Sequence, residues 1–114
     1  MPLSPREVAE AFSSHDFEPA FAHLSDAVVW RTPGEAPVEG REAVVALCRA
    51  TAEALAETDV RRERFLVVDG GDAVVVDTLT VYRDADGVST VASCDIYEFR
   101  DGEVVTLTSY NVEV

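Results

Sequence analysis

The sequence predicts an α+β fold in which N-terminal helices pack on a strongly curved antiparallel sheet, forming a cone-like shape with an internal pocket. Two observations carry this prediction. Apolar residues recur at helical spacing up to about residue 56 and at strand spacing from residue 60 onward. Clusters of Gly and Asp then separate the apolar segments, as expected for hairpin turns. The length suits a single domain, residues 1–114.

The N-terminal half contains three predicted helices and one short strand. Ser4 can cap the first helix, with Pro5 at its first position and Glu7 completing a capping box. Asp16 can cap a second helix. The predicted elements are helices over residues 4–14, from residue 16 and over 41–56, a strand over 27–32 and a loop over 37–40.

The C-terminal half predicts four strands joined by tight turns. Strands connected in this way pair as an antiparallel meander. The predicted strands are residues 60–68, 73–82, 88–99 and 103–112. The helices are too short to be stable alone, so they must cover one face of this sheet.

The charge balance excludes several classes of partner. Nine basic residues face twenty-two acidic ones, which gives a net charge of −13. Binding to nucleic acid or to anionic membranes requires clusters of Lys and Arg, so neither is expected. No apolar run reaches the roughly 18 residues of a membrane span, and the N-terminus lacks the pattern of a signal peptide. We expect a cytoplasmic protein.

The cysteines and histidines lack the spacing of a metal site or of a nucleophilic triad. Cys48 and Cys94 show no metal-binding spacing, and the sequence contains only two histidines, His15 and His23. The histidines lie at a helix junction and a helix end, where exposed or capping roles are commoner than catalysis. We expect no metal and no cofactor, and two packed thiols rather than a disulfide.

Asp95 is the principal candidate for chemistry. It shares one strand face with Tyr97 and Phe99, because side chains alternate along a strand with period two. A carboxyl group in an apolar pocket has a perturbed pKa and can act as an acid or a base near neutral pH. Asp77 also interrupts an apolar strand, but alternation alone leaves open which face of that strand lines the pocket.

Arg31, beside Trp30 on the first predicted strand, is the candidate cation. If Arg31 faces the pocket, it requires a carboxylate or an acidic ligand nearby, since an unpaired buried charge is very costly. The alternative is a surface arginine whose stem lies on Trp30.

The remaining candidate residues would bind the ligand. Ser109 and Asn111 share a face of the last strand near the pocket mouth, and Tyr97 adds a hydroxyl. A mostly apolar cavity with a few polar groups suits a small, hydrophobic, oxygenated molecule. The predicted substrate-binding residues are Trp30, Tyr97, Phe99, Ser109 and Asn111, together with Phe12, Leu47 and Cys48 from the apolar faces of the helices.

Three segments carry a resemblance to a known family. They are residues 25–34 (SDAVVWRTPG), 38–44 (VEGREAV) and 95–105 (DIYEFRDGEVV). In this order and spacing they resemble the cone-shaped α+β family that includes nuclear transport factor 2, ketosteroid isomerase and the SnoaL-like polyketide cyclases. The resemblance spans nearly the whole chain and implies a deep pocket between helices and sheet.

The resemblance also implies roles for single residues. Asp95 matches the isomerase aspartic acid that donates a hydrogen bond to the enolate oxygen, and SnoaL-like cyclases place their acid–base aspartate in the same strand. The isomerase's proton-shuttling aspartate falls on Arg31, and its tyrosine on the first helix has no counterpart. Steroid isomerisation by that mechanism is therefore not expected.

Limonene epoxide hydrolase, another relative by resemblance, uses one arginine and two aspartates around a water. Its middle-strand aspartate matches Asp77, but its arginine falls on Val75 and its other aspartate on Ser109. The match to that mechanism is thus incomplete.

The resulting hypothesis is a SnoaL-like, cofactor-free pocket protein. As an enzyme it would be an isomerase, cyclase or dehydratase that moves a proton on a carbonyl-bearing hydrophobic molecule, with Asp95 as acid or base and Arg31 orienting it or holding the developing oxyanion. The alternative is a non-catalytic ligand-binding or dimerisation module. A homodimer through the outer sheet face is expected, because the strands are apolar on both faces.

Overall fold

The computed structural model describes residues 2–114. Two α-helices are present there, α1 (Pro5–Ser13) and α2 (Arg41–Ala54), with a 3-10 helix (Glu18–His23) between them. The strands are β1 (Leu24–Arg31), β2 (Val38–Glu39), β3 (Asp59–Asp69), β4 (Ala73–Asp84), β5 (Gly87–Arg100) and β6 (Glu103–Glu113). None of the helices in this part of the chain is both long and apolar enough to cross a membrane.

The strands form one curved, unclosed sheet in the order β2-β1-β6-β5-β4-β3. The predicted α+β class and the meander of β3 to β6 are confirmed. The sheet is mixed rather than wholly antiparallel, because β1 pairs with β6 in parallel. A parallel pair needs a long connection, and here α2 and four strands lie between the two partners.

The helix starts differ in how well the sequence predicts them. The predicted capping box at α1 is confirmed: Glu7 N–H donates to Ser4 Oγ at 3.2 Å, and Ser4 N–H donates to Glu7 Oε1 at 2.9 Å. Asp16 does not cap the next helix. Phe17 occupies its N-cap without a side-chain hydrogen bond, and the segment forms only the six-residue 3-10 helix.

Two strand boundaries also differ from the sequence-based expectation. β1 begins at Leu24 rather than at residue 27, because the 3-10 helix already ends at His23. Residues 38–39, expected in a loop, form β2, which extends the sheet through antiparallel pairing with Val29 and Trp30 of β1.

The helices cover one sheet face, and alternation along β4 shows which one. Val74, Val76, Thr78 and Thr80 are buried on that inner face. Asp77 points the other way and pairs with Arg64, whose Nε lies 2.8 Å from Asp77 Oδ2. This settles the question that the sequence left open, since Asp77 is not on the pocket face.

Candidate functional site

A cavity of about 300 Å³ lies between the end of α1 and the inner sheet face. This volume is at the lower end of the range for small-molecule sites. Aromatic side chains, Phe12, Phe17 and Trp30, form much of its wall, and Thr78 and Thr80 add hydroxyls. The cavity therefore offers a small apolar space with scattered hydrogen-bonding groups.

The register of β4, β5 and β6 arranges the cavity floor in rows. Successive inner rows are Val74–Tyr97–Leu107, Val76–Asp95–Ser109 and Thr78–Ser93–Asn111. Tyr97 is 1% exposed and Ser109 4%, whereas Asn111 is exposed. The floor thus changes from buried and apolar at the row of Tyr97 to open and polar at the row of Asn111. Asp95 lies in the row between them.

Ser13, the last residue of α1, joins Asp95 to Tyr97. Its hydroxyl lies 2.8 Å from Asp95 Oδ2 and 2.6 Å from the Tyr97 hydroxyl. A hydroxyl has one proton. Since Ser13 donates that proton to Asp95, Tyr97 must donate to Ser13. The proton order is therefore Tyr97 to Ser13 to Asp95.

Trp30 and Ser109 form a second chain that ends at the same carboxyl. Trp30 Nε1 lies 3.0 Å from Ser109 Oγ, and an indole N–H can only donate. Ser109 lies directly opposite Asp95 across the strand pair, and its hydroxyl lowers the pKa of that carboxyl. The serine proton is thus free for Asp95, so the hydroxyls of Ser13 and Ser109 both stand beside this carboxyl.

The environment of Asp95 has two opposing effects on its pKa. Burial is the larger effect and raises the pKa above the ordinary value of 3.8. The hydrogen bonds from Ser109 and Ser13 stabilise the charged form and lower it. The result is a carboxyl that exchanges its proton at a higher pH than a solvated aspartate does, in contact with an apolar cavity.

The structure brings five of the predicted residues together at the cavity. Asp95, Trp30, Ser109, Asn111 and Phe12 line it. Asn111 accepts a hydrogen bond from Ser93 at 2.8 Å. A sixth residue, Tyr97, contacts the site through Ser13 rather than directly.

Arg31 does not join them. It is exposed on the outer face, in a surface depression beside Thr108 and Tyr110. Of the two alternatives that the sequence left open, the structure shows the surface arginine, so Arg31 neither faces the pocket nor pairs with Asp95. Because Trp30 points inward on the same strand, alternation directs Arg31 outward.

Three predicted ligand contacts also lie elsewhere. Phe99 is buried in the hydrophobic core beyond the cavity. Cys48 is fully buried and faces a separate small depression at the 3-10 helix. Leu47 is 40% exposed. α2 packs on β1 and β2 and contributes Thr51 to the cavity wall, whereas Leu47 and Cys48 are not among the lining residues.

The residues of the site that the sequence-based reasoning missed include Ser13, His15, Arg62 and Tyr82. All but Arg62 line the cavity, and Arg62 contacts His15. The signal for Ser13 was its place at the inner end of a capped amphipathic helix. Arg62 carried no usable signal, because a register shift between residues 62 and 64 breaks the alternation of β3. Among residues 2–114, no three His, Cys, Asp or Glu side chains are grouped to bind a metal ion.

Comparison with known proteins agrees with this architecture. An NTF2-like protein of unknown function from Cytophaga hutchinsonii has a TM-score of 0.80 and 28% identity, over 92% of this chain and 93% of that chain. An LEH-like epoxide hydrolase from M. tuberculosis has a TM-score of 0.68 and 20% identity, over 94% and 81%. A candidate polyketide cyclase from Xanthomonas campestris has a TM-score of 0.70 and 19% identity, over 90% and 83%.

The helix-covered curved sheet and its internal cavity thus define a protein of the NTF2-like fold. A sequence model of the SnoaL-like domain matches residues 6–107. The chain belongs to the SnoaL-like domain family. No functionally curated protein matches the sequence.

Proposed function

We propose that the cavity binds a small, hydrophobic, oxygenated molecule and that Asp95 transfers a proton to or from it. The observation that carries this proposal is the environment of Asp95. Its carboxyl lines an aromatic-walled cavity, burial raises its pKa, and two hydroxyl donors hold it in place. Positioned carboxyls of this kind act as general acids or bases.

The chemistry follows from the two protonation states of Asp95. As a carboxylate, Asp95 accepts a proton from a carbon next to a carbonyl group, and the carbonyl oxygen becomes an enolate. As a carboxylic acid, Asp95 returns the proton to the same or another position. Return of the proton to another carbon produces isomerisation, return to the alkoxide formed by ring closure produces cyclisation, and transfer to a hydroxyl group that leaves the neighbouring carbon releases water and produces dehydration. Proton transfer by such a group contributes roughly 10²–10⁴-fold in rate.

The comparisons support a pocket chemistry of this type without choosing the reaction. Structural neighbours of the same fold include candidate polyketide cyclases and an epoxide hydrolase. Fold alone does not assign function. Asp77, which the resemblance matched to the hydrolase's middle-strand aspartate, pairs with Arg64 on the outer face. The cavity therefore favours proton transfer by Asp95 over epoxide opening.

The test uses a carbonyl compound that fits the cavity and has acidic protons next to the carbonyl. The probe is 2-tetralone in D₂O, and NMR measures the exchange of its α-protons. The native protein should accelerate exchange, and Asp95→Asn should lower the acceleration by at least about 100-fold. The matched control is Asp77→Asn, which makes the same change on the outer face and should leave the rate unchanged.

The alternative class of function has its own signature in the same experiment. Saturable binding of 2-tetralone with no acceleration above buffer would indicate a ligand-binding module. An acceleration equal in native protein and Asp95→Asn would remove Asp95 from the mechanism.

A further inference from the structure

His15 follows α1 in a conformation that ordinarily belongs to glycine. Its φ is 67°, in the left-handed region. The His15 N–H donates to Phe12 O at 3.1 Å, and the Asp16 N–H donates to Ala11 O at 2.9 Å. These two bonds form a Schellman motif with His15 at the left-handed position, where Gly is preferred. The helix end thus keeps an imidazole at a position where glycine would cause less strain.

Neighbouring side chains hold the imidazole at the cavity wall. The ring of His15 lies 5.7 Å from the Phe17 ring and 6.1 Å from the Tyr82 ring, measured between centroids. Both neighbours also line the cavity. The helix end itself does not need the ring, because Arg62 donates to the carbonyl oxygen of Ser14.

Arg62 determines which nitrogen of His15 carries the proton. Arg62 Nη2 lies 3.0 Å from His15 Nδ1. A guanidinium can only donate, so Nδ1 is the acceptor and the neutral ring carries its proton on Nε2. Burial, with a smaller effect from the Arg62 charge, lowers the pKa of His15 to about 4, so the ring is neutral near pH 7. The ring therefore has a single N–H to donate, at Nε2.

The charge of Arg62 has no carboxylate partner among residues 2–114, since none of their ion pairs includes it. Its Nε is buried without a hydrogen-bond partner. A half-buried cation without a counter-charge favours a nearby anion or a strongly polar oxygen. The chain as a whole is strongly acidic, with a net charge of −13, so a half-buried cation without a carboxylate partner is unusual in it.

We infer that His15 Nε2–H, with Arg62 behind it, is the binding site for an oxygen atom of the ligand that carries full or partial negative charge. The ligand class is then an aromatic or alicyclic molecule with a carboxylate, phenolate or ketone oxygen. This deepens the proposed function and rests on it only in that the cavity binds a small molecule. His15 is a binding residue, and Arg62 is a positioning residue that fixes the tautomer of His15.

The experiment compares three probes of one shape: 2-naphthoate, 2-acetonaphthone and naphthalene. Calorimetry or fluorescence gives their dissociation constants for the native protein and for His15→Gly. The native protein should bind the two oxygenated probes at least tenfold more tightly than naphthalene. In His15→Gly this preference should fall to within about threefold, without a decrease in Tm, because glycine suits the left-handed position. Loss of the preference for naphthoate alone identifies an anionic oxygen, and loss for acetonaphthone alone identifies a carbonyl; either result supports the site.

A second measurement does not depend on a variant. ¹⁵N NMR of the native protein should show the Nε2–H tautomer of His15, and addition of naphthoate or acetonaphthone should shift Nε2 more than Nδ1. Arg62→Met, which keeps an unbranched stem, should populate the other tautomer. An Nδ1–H tautomer in the native protein, or a probe preference equal in native protein and His15→Gly, overturns the inference.

The outcomes separate this inference from the proposed function. If Asp95→Asn abolishes proton exchange while His15→Gly leaves the probe preference intact, the proton-transfer proposal stands and the oxygen site does not. If the preference depends on His15 but no exchange is catalysed, the oxygen site stands and the protein is a binding module.

Discussion

Trp30 orients the hydroxyl group of Ser109, which stands between Trp30 and Asp95. The indole N–H donates to Ser109 Oγ at 3.0 Å. Ser109 lies directly opposite Asp95 in the β5–β6 pair. Because the indole occupies an acceptor position of the hydroxyl, the serine proton is directed toward the carboxyl. An aromatic residue on β1 thus influences the charge state of a carboxyl on β5.

Removing the indole N–H should therefore change the titration of Asp95. In the native protein the ring centroids of Trp30 and Phe12 lie 5.3 Å apart. Trp30→Phe largely keeps this packing, but the hydroxyl of Ser109 can then rotate. The pKa of Asp95 should rise, because a donor to its charged form is weakened. Ser109→Ala should raise it further. ¹³C NMR of the Asp95 carboxyl measures both changes, and titrations identical to that of the native protein would show that this donor chain has no effect.

Asp95 should also make stability depend on pH. Burial raises its folded-state pKa above the ordinary 3.8. The contribution of protonated Asp95 to the free energy of unfolding is full below the pKa of this group in the unfolded state. It is lost as pH rises through the folded-state pKa, because the unfolded state releases the proton first. Asp95→Asn cannot ionise, so it should be more stable than the native protein at pH 7. Urea unfolding at pH 4 and pH 7 measures this, and the difference between the two proteins should shrink at pH 4.

His15 should act in the opposite direction. Its folded pKa, lowered by burial to about 4, lies below the ordinary 6.5. The stability contribution is present above pH 6.5 and is lost as pH falls toward 4, because the unfolded state then binds a proton that the folded state excludes. The charged or titratable groups around the ring are Arg62, Tyr82 and, across the cavity, Asp95.

The variant His15→Gly tests this directly. It should lose less stability than the native protein between pH 6.5 and 4, as measured by thermal unfolding. The matched control is His23→Gln, which keeps His15 and should retain the acid sensitivity. Equal acid sensitivity of His15→Gly and the native protein would show that His15 is not the responsible group.

We also expect a homodimer through the outer sheet face. Cross-strand register places apolar side chains there in two rows, Val68–Val75–Ile96 and Leu79–Ala92–Val112, with the row of Asp77 between them. Several of them are well exposed, including Val68 at 54% and Val112 at 60%. Exposed apolar rows of this kind are typical of an interface between subunits.

Substitution at the centre of that face should break the dimer. Leu79→Glu introduces a charge that would repel its copy, so light scattering at tens of micromolar should show a monomer with native circular dichroism. Val88→Glu, at the tip of the β4–β5 hairpin and 58% exposed, is the control and should stay dimeric. A monomeric native protein at that concentration would contradict the expectation.

The sequence predicts the floor of the site better than its walls. Alternation along β5 places Asp95 and Tyr97 on one face, and the structure agrees because a regular strand has one geometry. Alternation could not say which face of β1 or β4 is inner, so Arg31 and Asp77 were left open. His15 and Arg62 escaped prediction because each stands at an irregularity of the backbone: His15 is itself in the left-handed conformation, and Arg62 borders the register shift that lies between residues 62 and 64.

The parallel pairing of β1 with β6 has a consequence for how the protein is made. The Trp30–Ser109 bond joins positions 79 residues apart, and the meander of β3 to β5 is synthesised before β6 exists. On the ribosome, therefore, the donors around Asp95 cannot assemble until β6 has been synthesised. Until then α1, β1 and the meander are present without it. A nascent chain halted before residue 109 can form hairpins, but it cannot form the site. Ligand binding should therefore report that β6 has been synthesised and has paired with β1, rather than the formation of any one hairpin.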